Sequence, residues 1–122
     1  MDAKLKVDGG IHAYQIYLRH EAQIELTERL MSLRQSGTFV VLSDENVARL
    51  YAGDFVKGMT EKGMDAHLIT VGEGERSKSL EVATTVYESL VQLGADRQTV
   101  LIGFGGGVVG DLAGFVAATY MR

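Results

Sequence analysis

The sequence predicts an α/β domain: a mainly parallel sheet with helices on both faces, preceded by an N-terminal β-hairpin. Three observations carry this. Short apolar runs at 38–43, 65–71 and 99–104 have the length of strands, and the first is as continuous as a strand buried on both faces. Between them lie segments with apolar residues at helical spacing, closed by Gly63 and Gly94. The last run meets Gly105-Gly106-Gly107-Val108-Val109-Gly110, a turn almost free of side chains that launches a long apolar helix. Alternation of this kind favours parallel strands joined by crossovers.

Taken in order, Lys4-Leu5-Lys6-Val7-Asp8 alternates with period two and Gly9-Gly10 turns the chain. Ala13-Tyr14-Gln15-Ile16-Tyr17-Leu18 alternates again, which gives the hairpin. Ala22, Leu26, Leu30 and Leu33 then mark a helix over 21–34 that Gly37 stops. After the first buried strand, Asp44 is placed to cap a short helix reaching Tyr51, and a second helix is expected over 54–62. Residues 72–78 form a polar loop, and Ser79 caps a helix whose stripe is Val82, Ala83, Val86, Leu90 and Leu93.

Composition narrows the function classes. The net charge is −4, and the twelve Lys and Arg residues are scattered, which argues against a nucleic-acid or anionic-membrane partner. Without cysteine there is neither a disulfide framework nor a thiolate metal site. His12, His20 and His67 lack metal-ligand spacing. The start of the chain has no signal-peptide pattern, and the longest helix-like apolar run, 108–118, is broken by glycine and Asp111. A soluble cytoplasmic protein is expected. The chain ends at Arg122, just after an apolar helix with no closing strand, as the front part of a longer protein would.

Ligands of parallel sheets sit beyond the carboxyl ends of the strands. Three loops fall there: Asp44-Glu45-Asn46, residues 72–78, and Gly105 to Asp111. Gly105-x-Gly107-x-x-Gly110 has dinucleotide spacing, in which glycines let backbone N–H groups and a helix N-terminus approach phosphate. Asp44 can hydrogen-bond a ribose or simply cap a helix. It precedes the glycines, whereas the ordinary Rossmann acid follows them by about 20 residues. Glu75 and Lys78 can contact a cofactor or form a solvated charged loop. Asp111 reads as a carboxylate in the first turn of an apolar helix, which needs a partner if buried and gains from the helix dipole. Gly110, Gly114 and Ala118 form a bare stripe that suggests close packing. No full catalytic set can be assembled.

Gly105-Gly106-Gly107-Val108-Val109-Gly110-Asp111-Leu112-Ala113-Gly114-Phe115, continued by Ala117-Ala118-Thr119-Tyr120-Met121-Arg122, closely resembles 3-dehydroquinate synthase, a sugar-phosphate cyclase. Ser43-Asp44-Glu45-Asn46-Val47 and Gly74-Glu75-Arg76-Ser77-Lys78-Ser79 match in the family's order and spacing; Gly72 departs from it, standing where proline is usual. The resemblance implies a Rossmann-like NAD-binding domain over residues 1–122. The helical C-terminal domain, which carries the divalent metal (zinc or cobalt) and most substrate contacts, is absent from this chain. It implies that Asp44 and Asn46 hold the adenosine end of NAD and that Glu73, Gly74, Glu75, Arg76, Ser77 and Lys78 contribute from the second loop. Gly106, Gly107, Val108 and Val109 would lie at the pyrophosphate, Gly110 would also belong to the cofactor site, Asp111 would reach the nicotinamide side, and Arg122 would bind the acidic groups of a small sugar-phosphate substrate.

The implied reaction converts a seven-carbon phosphorylated keto acid, DAHP, to 3-dehydroquinate and phosphate in the shikimate pathway. NAD serves as a catalyst that is not consumed, and the metal acts as a Lewis acid. A homodimer is implied for the full-length enzyme, and no turnover for this chain alone. Rivals are another cyclase, of the 2-deoxy-scyllo-inosose or valiolone type, an iron-dependent alcohol or glycerol dehydrogenase, and a non-catalytic nucleotide-binding module. The dehydrogenases tend to carry serine after the three glycines, and Val108 argues against them.

Overall fold

The structure is a computed structural model that describes residues 2–10, 12–33 and 36–121. It divides into two compact units, 1–33 and 34–122. In the first, β1 (Ala3–Gly9) pairs antiparallel with β2 (His12–Leu18), in register from Ala3 opposite Leu18 to Gly9 opposite His12. Gly10 turns the chain at φ 82°, a left-handed conformation that glycine adopts without a Cβ penalty. The helix α1 (Gln23–Leu33) follows. Arg19 and Arg29 lie over the Tyr17 ring, and both guanidinium groups pair with Glu25 at 3.3 Å.

The second unit is a parallel three-stranded sheet in the order β4-β3-β5, with β3 (Thr38–Asp44) central, β4 (Asp65–Val71) on one side and β5 (Val100–Gly103) on the other. Val40, Val41 and Leu42 are fully buried, as expected for a strand covered on both faces. On one face Val40, Leu42, Ile69 and Val71 form a core with Ala83, Val86 and Leu90 of α4 (Leu80–Gln92). Leu112, Ala113 and Val116 of α5 (Gly107–Thr119) complete that core. On the other side α3 (Gly53–Glu61) packs on β4, with Phe55 and Met59 buried.

Two expectations change. The short helix after Asp44 and the next helix are not separate: α2 (Glu45–Val47) runs through a π-helical turn (Ala48–Ala52) directly into α3. Gly53 does not break the rod because it adopts helical angles, φ −59° and ψ −46°, and its N–H bonds back to Ala48 O. The glycine stripe on α5 is also not a packed seam within this chain. Gly110 and Gly114 are exposed, and a Cβ built on either meets nothing within 4 Å. The helix buries only Val109, Leu112, Ala113 and Val116, one face at i, i+3, i+4 and i+7 spacing.

Candidate functional site

Parallel pairing puts the carboxyl ends of all three strands on one edge. Asp44 ends β3 opposite Val71 of β4, and Leu42 lies opposite Gly103 of β5. The loops that follow these strands are therefore neighbours, in the same order as the strands. Among the described residues no helix is long and apolar enough to cross a membrane, and no three His, Asp or Glu side chains converge as a metal site.

In the first loop Asp44 is extended, and its Oδ1 accepts the Val47 N–H at 2.8 Å, so it does cap α2. Asn46 Oδ1 accepts from Arg49 Nη2 at 2.6 Å. In the second loop Gly74 has φ 94°, which only glycine adopts readily. A single 3-10 turn, Glu75–Ser77, then leads toward α4. Ser77 is buried and its hydroxyl donates to Gly72 O, so this side chain shapes the loop from inside. Glu73, Glu75 and Arg76 are exposed.

Lys78 and Asp111 come together. Lys78 Nζ stands 2.8 Å from Asp111 Oδ2, tying the second loop to α5. The bond to Asp111 and its charge, with Glu75 adding to the field, raise the Lys78 ammonium above its ordinary value, so it is cationic at neutral pH. Asp111 departs from expectation in two respects. It is the fifth residue of α5 and not in its first turn, and its side chain is 61% exposed. The reason is angular: the residues that face the core are 109, 112, 113 and 116, and position 111 points off that stripe. A shallow cleft of about 270 Å³ adjoins the ion pair, lined by Lys78, Ser79, Leu80, Asp111, Leu112 and Phe115. Two further hollows, about 260 and 500 Å³, lie around Ala95 and Tyr120, where α4 and α5 end, away from the three loops.

The glycines of the third loop divide into two kinds. A Cβ on Gly103 would come within 3.0 Å of Ala113 Cβ, and one on Gly105 within 3.0 Å of Val109 Cγ2. These two allow α5 to sit tight against β5 and its own turn. Gly106 and Gly107 instead border open space, with nothing within 4 Å. The first backbone bond into α5 is Gly110 N–H to Gly106 O at 3.0 Å, so the N–H groups of Gly107, Val108 and Val109 precede it, as at any helix start. A side-chain-free surface with donor groups and the positive end of a helix dipole suits an anion. Arg122 lies outside the described residues.

Ser43 and Phe104 belong to this edge but were not singled out from sequence. Ser43 is fully buried, and its Oγ donates to Phe104 O at 2.7 Å; the Phe104 ring packs on Phe55 with centroids 5.1 Å apart. The available signal was a lone hydroxyl at the end of a strand otherwise buried on both faces.

The fold and site thus define an α/β domain with an open, side-chain-free glycine turn at the carboxyl edge of its parallel sheet. The same fold occurs in a crystal structure of 2-deoxy-scyllo-inosose synthase, at a TM-score of 0.81 and 20% identity over 96% of this chain and 33% of that one. A second structure of a 2-deoxy-scyllo-inosose synthase, complexed with carbaglucose-6-phosphate, NAD+ and Co2+, matches at the same TM-score and identity, over 96% of this chain and 31% of that one.

Sequence comparison narrows the likeness further. Residues 68–122 match the family model described as 3-dehydroquinate synthase N-terminal. The chain is 41% identical over 119 residues to the 3-dehydroquinate synthase of Enterococcus faecalis strain V583, and 40% to that of Streptococcus sanguinis. These matches take in 98% of this chain and 33% and 34% of the two relatives. In sequence the chain is similar to these 3-dehydroquinate synthases, and it spans about a third of their length.

Proposed function

We propose that this chain is the NAD-binding part of a 3-dehydroquinate synthase, which converts DAHP to 3-dehydroquinate and phosphate in the shikimate pathway. The observation that carries the reading is the open glycine turn: Gly106 and Gly107 leave free space in front of the first amides of α5, where a pyrophosphate fits. Asp44 would meet the ribose hydroxyls with the carboxylate oxygen that does not cap α2, and Asn46 would assist at the adenosine end. Lys78 would supply positive charge beside the phosphates and Asp111 would orient it, with Glu73, Gly74, Glu75, Arg76 and Ser77 forming the loop around them.

When bound, NAD supplies reversible hydride transfer at a secondary alcohol of the substrate. This chain's residues bind and orient it. Zinc or cobalt is proposed for the remainder of the full-length protein, where the resemblance to the synthases puts the metal. The neighbour complexed with NAD+, Co2+ and a sugar-phosphate analogue supports both cofactors and a small sugar-phosphate substrate. Arg122 as a substrate contact, a homodimeric enzyme and a cytoplasmic location belong to the same proposal.

The direct test is to supply the full-length protein with DAHP, NAD and zinc. Formation of 3-dehydroquinate with one phosphate per turnover is expected, whereas phosphate release without 3-dehydroquinate would sink the reading. A finer test concerns Asp44. Asp44→Ala removes a helix cap, worth about 1 kcal/mol of stability, and should also raise the NAD dissociation constant several-fold. Calorimetry that finds lower stability with unchanged NAD affinity would reduce Asp44 to a cap.

A further inference from the structure

The loop after β5 is held beyond the point where the sheet ends. The β3–β5 ladder stops at Leu42 opposite Gly103. One residue later, Phe104 N–H still bonds Leu42 O at 2.9 Å, and Phe104 O takes the Ser43 hydroxyl at 2.7 Å. A side chain of β3 therefore adds the final rung. Ser43 is fully buried, one of only three buried polar or charged residues among those described, with Thr27 and Ser77. An apolar residue of similar size would fill this position with no need for a partner. A buried hydroxyl is retained here at a desolvation cost that its hydrogen bond must offset.

The bond has a consequence for the glycine turn. The peptide unit joining Phe104 to Gly105 is planar and trans, so its C=O and N–H point in opposite directions. With the carbonyl turned inward to Ser43, the Gly105 N–H is turned away from β3. That N–H has no backbone partner among the described residues. Glycine at 105 suits this close approach, because a Cβ there would press on the Val109 side chain at 3.0 Å. Glycine, however, accepts positive φ about as readily as negative, so the residue that permits the tight turn also lowers the barrier to flipping the preceding peptide. A flipped peptide would aim the Phe104 carbonyl oxygen where its N–H should be, and a carbonyl oxygen repels an anion.

We propose that Ser43 is a positioning residue of the dinucleotide site: it locks the Phe104–Gly105 peptide with its N–H turned outward, completing the row of amides that begins α5. Ser43 itself, buried behind the turn, does not touch the ligand. This inference rests on the NAD-site reading above and adds to it the residue that keeps the site's first amide in the binding orientation. Phe104 is held at three points, by its N–H, its carbonyl and its ring against Phe55, and only the carbonyl bond depends on a side chain hydroxyl.

The test is NAD calorimetry on the full-length protein and its Ser43→Ala, Ser43→Cys and Ser43→Thr variants, each well below its melting temperature. Ser43→Ala and Ser43→Cys, which lack a good hydroxyl donor, are expected to raise the NAD Kd about tenfold, equivalent to 1.4 kcal/mol. Ser43→Thr, which keeps the hydroxyl, should stay within about twofold of wild type. Should Ser43→Ala fail to fold, Ser43→Cys decides, because it keeps the volume. A Cys variant with lowered melting temperature but wild-type NAD affinity would make the bond merely structural and overturn the proposal. So would a Thr variant that binds no better than the Cys variant. Wild-type protein that binds no NAD would overturn the site reading itself, and this inference with it.

Discussion

The full-length protein carrying Gly106→Val is expected to fold as wild type does and to lose NAD affinity by roughly 10- to 100-fold, as the loss of one or two charge-assisted hydrogen bonds requires. The two halves of this expectation have separate causes. Gly106 lies at φ −80° and ψ −167°, an extended conformation open to valine, and a Cβ there meets nothing within 4 Å. The fold therefore has no steric reason to resist. The space that the isopropyl group would fill is the space in front of the first turn of α5, where an anion must come to reach the amides. Isothermal calorimetry with NAD, beside a thermal melt, separates the halves. Unchanged affinity in a well-folded variant would remove the phosphate role from Gly106.

Gly103→Val should do the reverse, damaging the fold first. Its Cβ would stand 3.0 Å from Ala113 Cβ and 3.7 Å from both Gly110 Cα and Val109 O. Ala113 has no flexible end to move aside, so α5 must give against β5 by a few tenths of an ångström, and by more to admit the valine methyls. Overpacking of this kind typically costs about 1–3 kcal/mol. For a domain of this size that is a fall of roughly 5–15 °C in Tm. Differential scanning fluorimetry reads it directly, and a Tm within about 2 °C of wild type would show that α5 is not seated as tightly as described. The two substitutions lie three positions apart in one glycine-rich run, and the structure assigns them opposite effects.

Much of this was legible from residues alone. The continuous apolar run at 38–43 announced a strand covered on both faces, and β3 is one, with Val40, Val41 and Leu42 fully buried. Ser79 and Asp44 were readable as helix caps because each places a short polar side chain directly before helical periodicity, and both accept the expected N–H. Other points were hidden. The π-turn through Ala48–Ala52 has no local signature, so two helices, one reaching Tyr51 and one over 54–62, and a single rod through Gly53 look alike in sequence. The exposure of Asp111 depended on which side of an almost uniformly apolar helix meets the core. Composition is silent on that when nearly every position would qualify.

The sequence by itself determined the class of fold, the edge on which a ligand would sit, and the order of the three loops. These follow from periodicity, from strand length, and from the rule that parallel strands present their carboxyl ends together. Only the tertiary structure decided what each side chain does at that edge. It paired Lys78 with Asp111, put the Ser77 hydroxyl inside its own loop, and sorted the glycines into those that make room for protein and those that leave room for a ligand. It also brought Ser43 against Phe104, 61 residues away. The physical reason is that propensity and pattern are local, whereas a hydrogen bond or a steric contact across the sheet exists only once strands distant in the chain are set side by side.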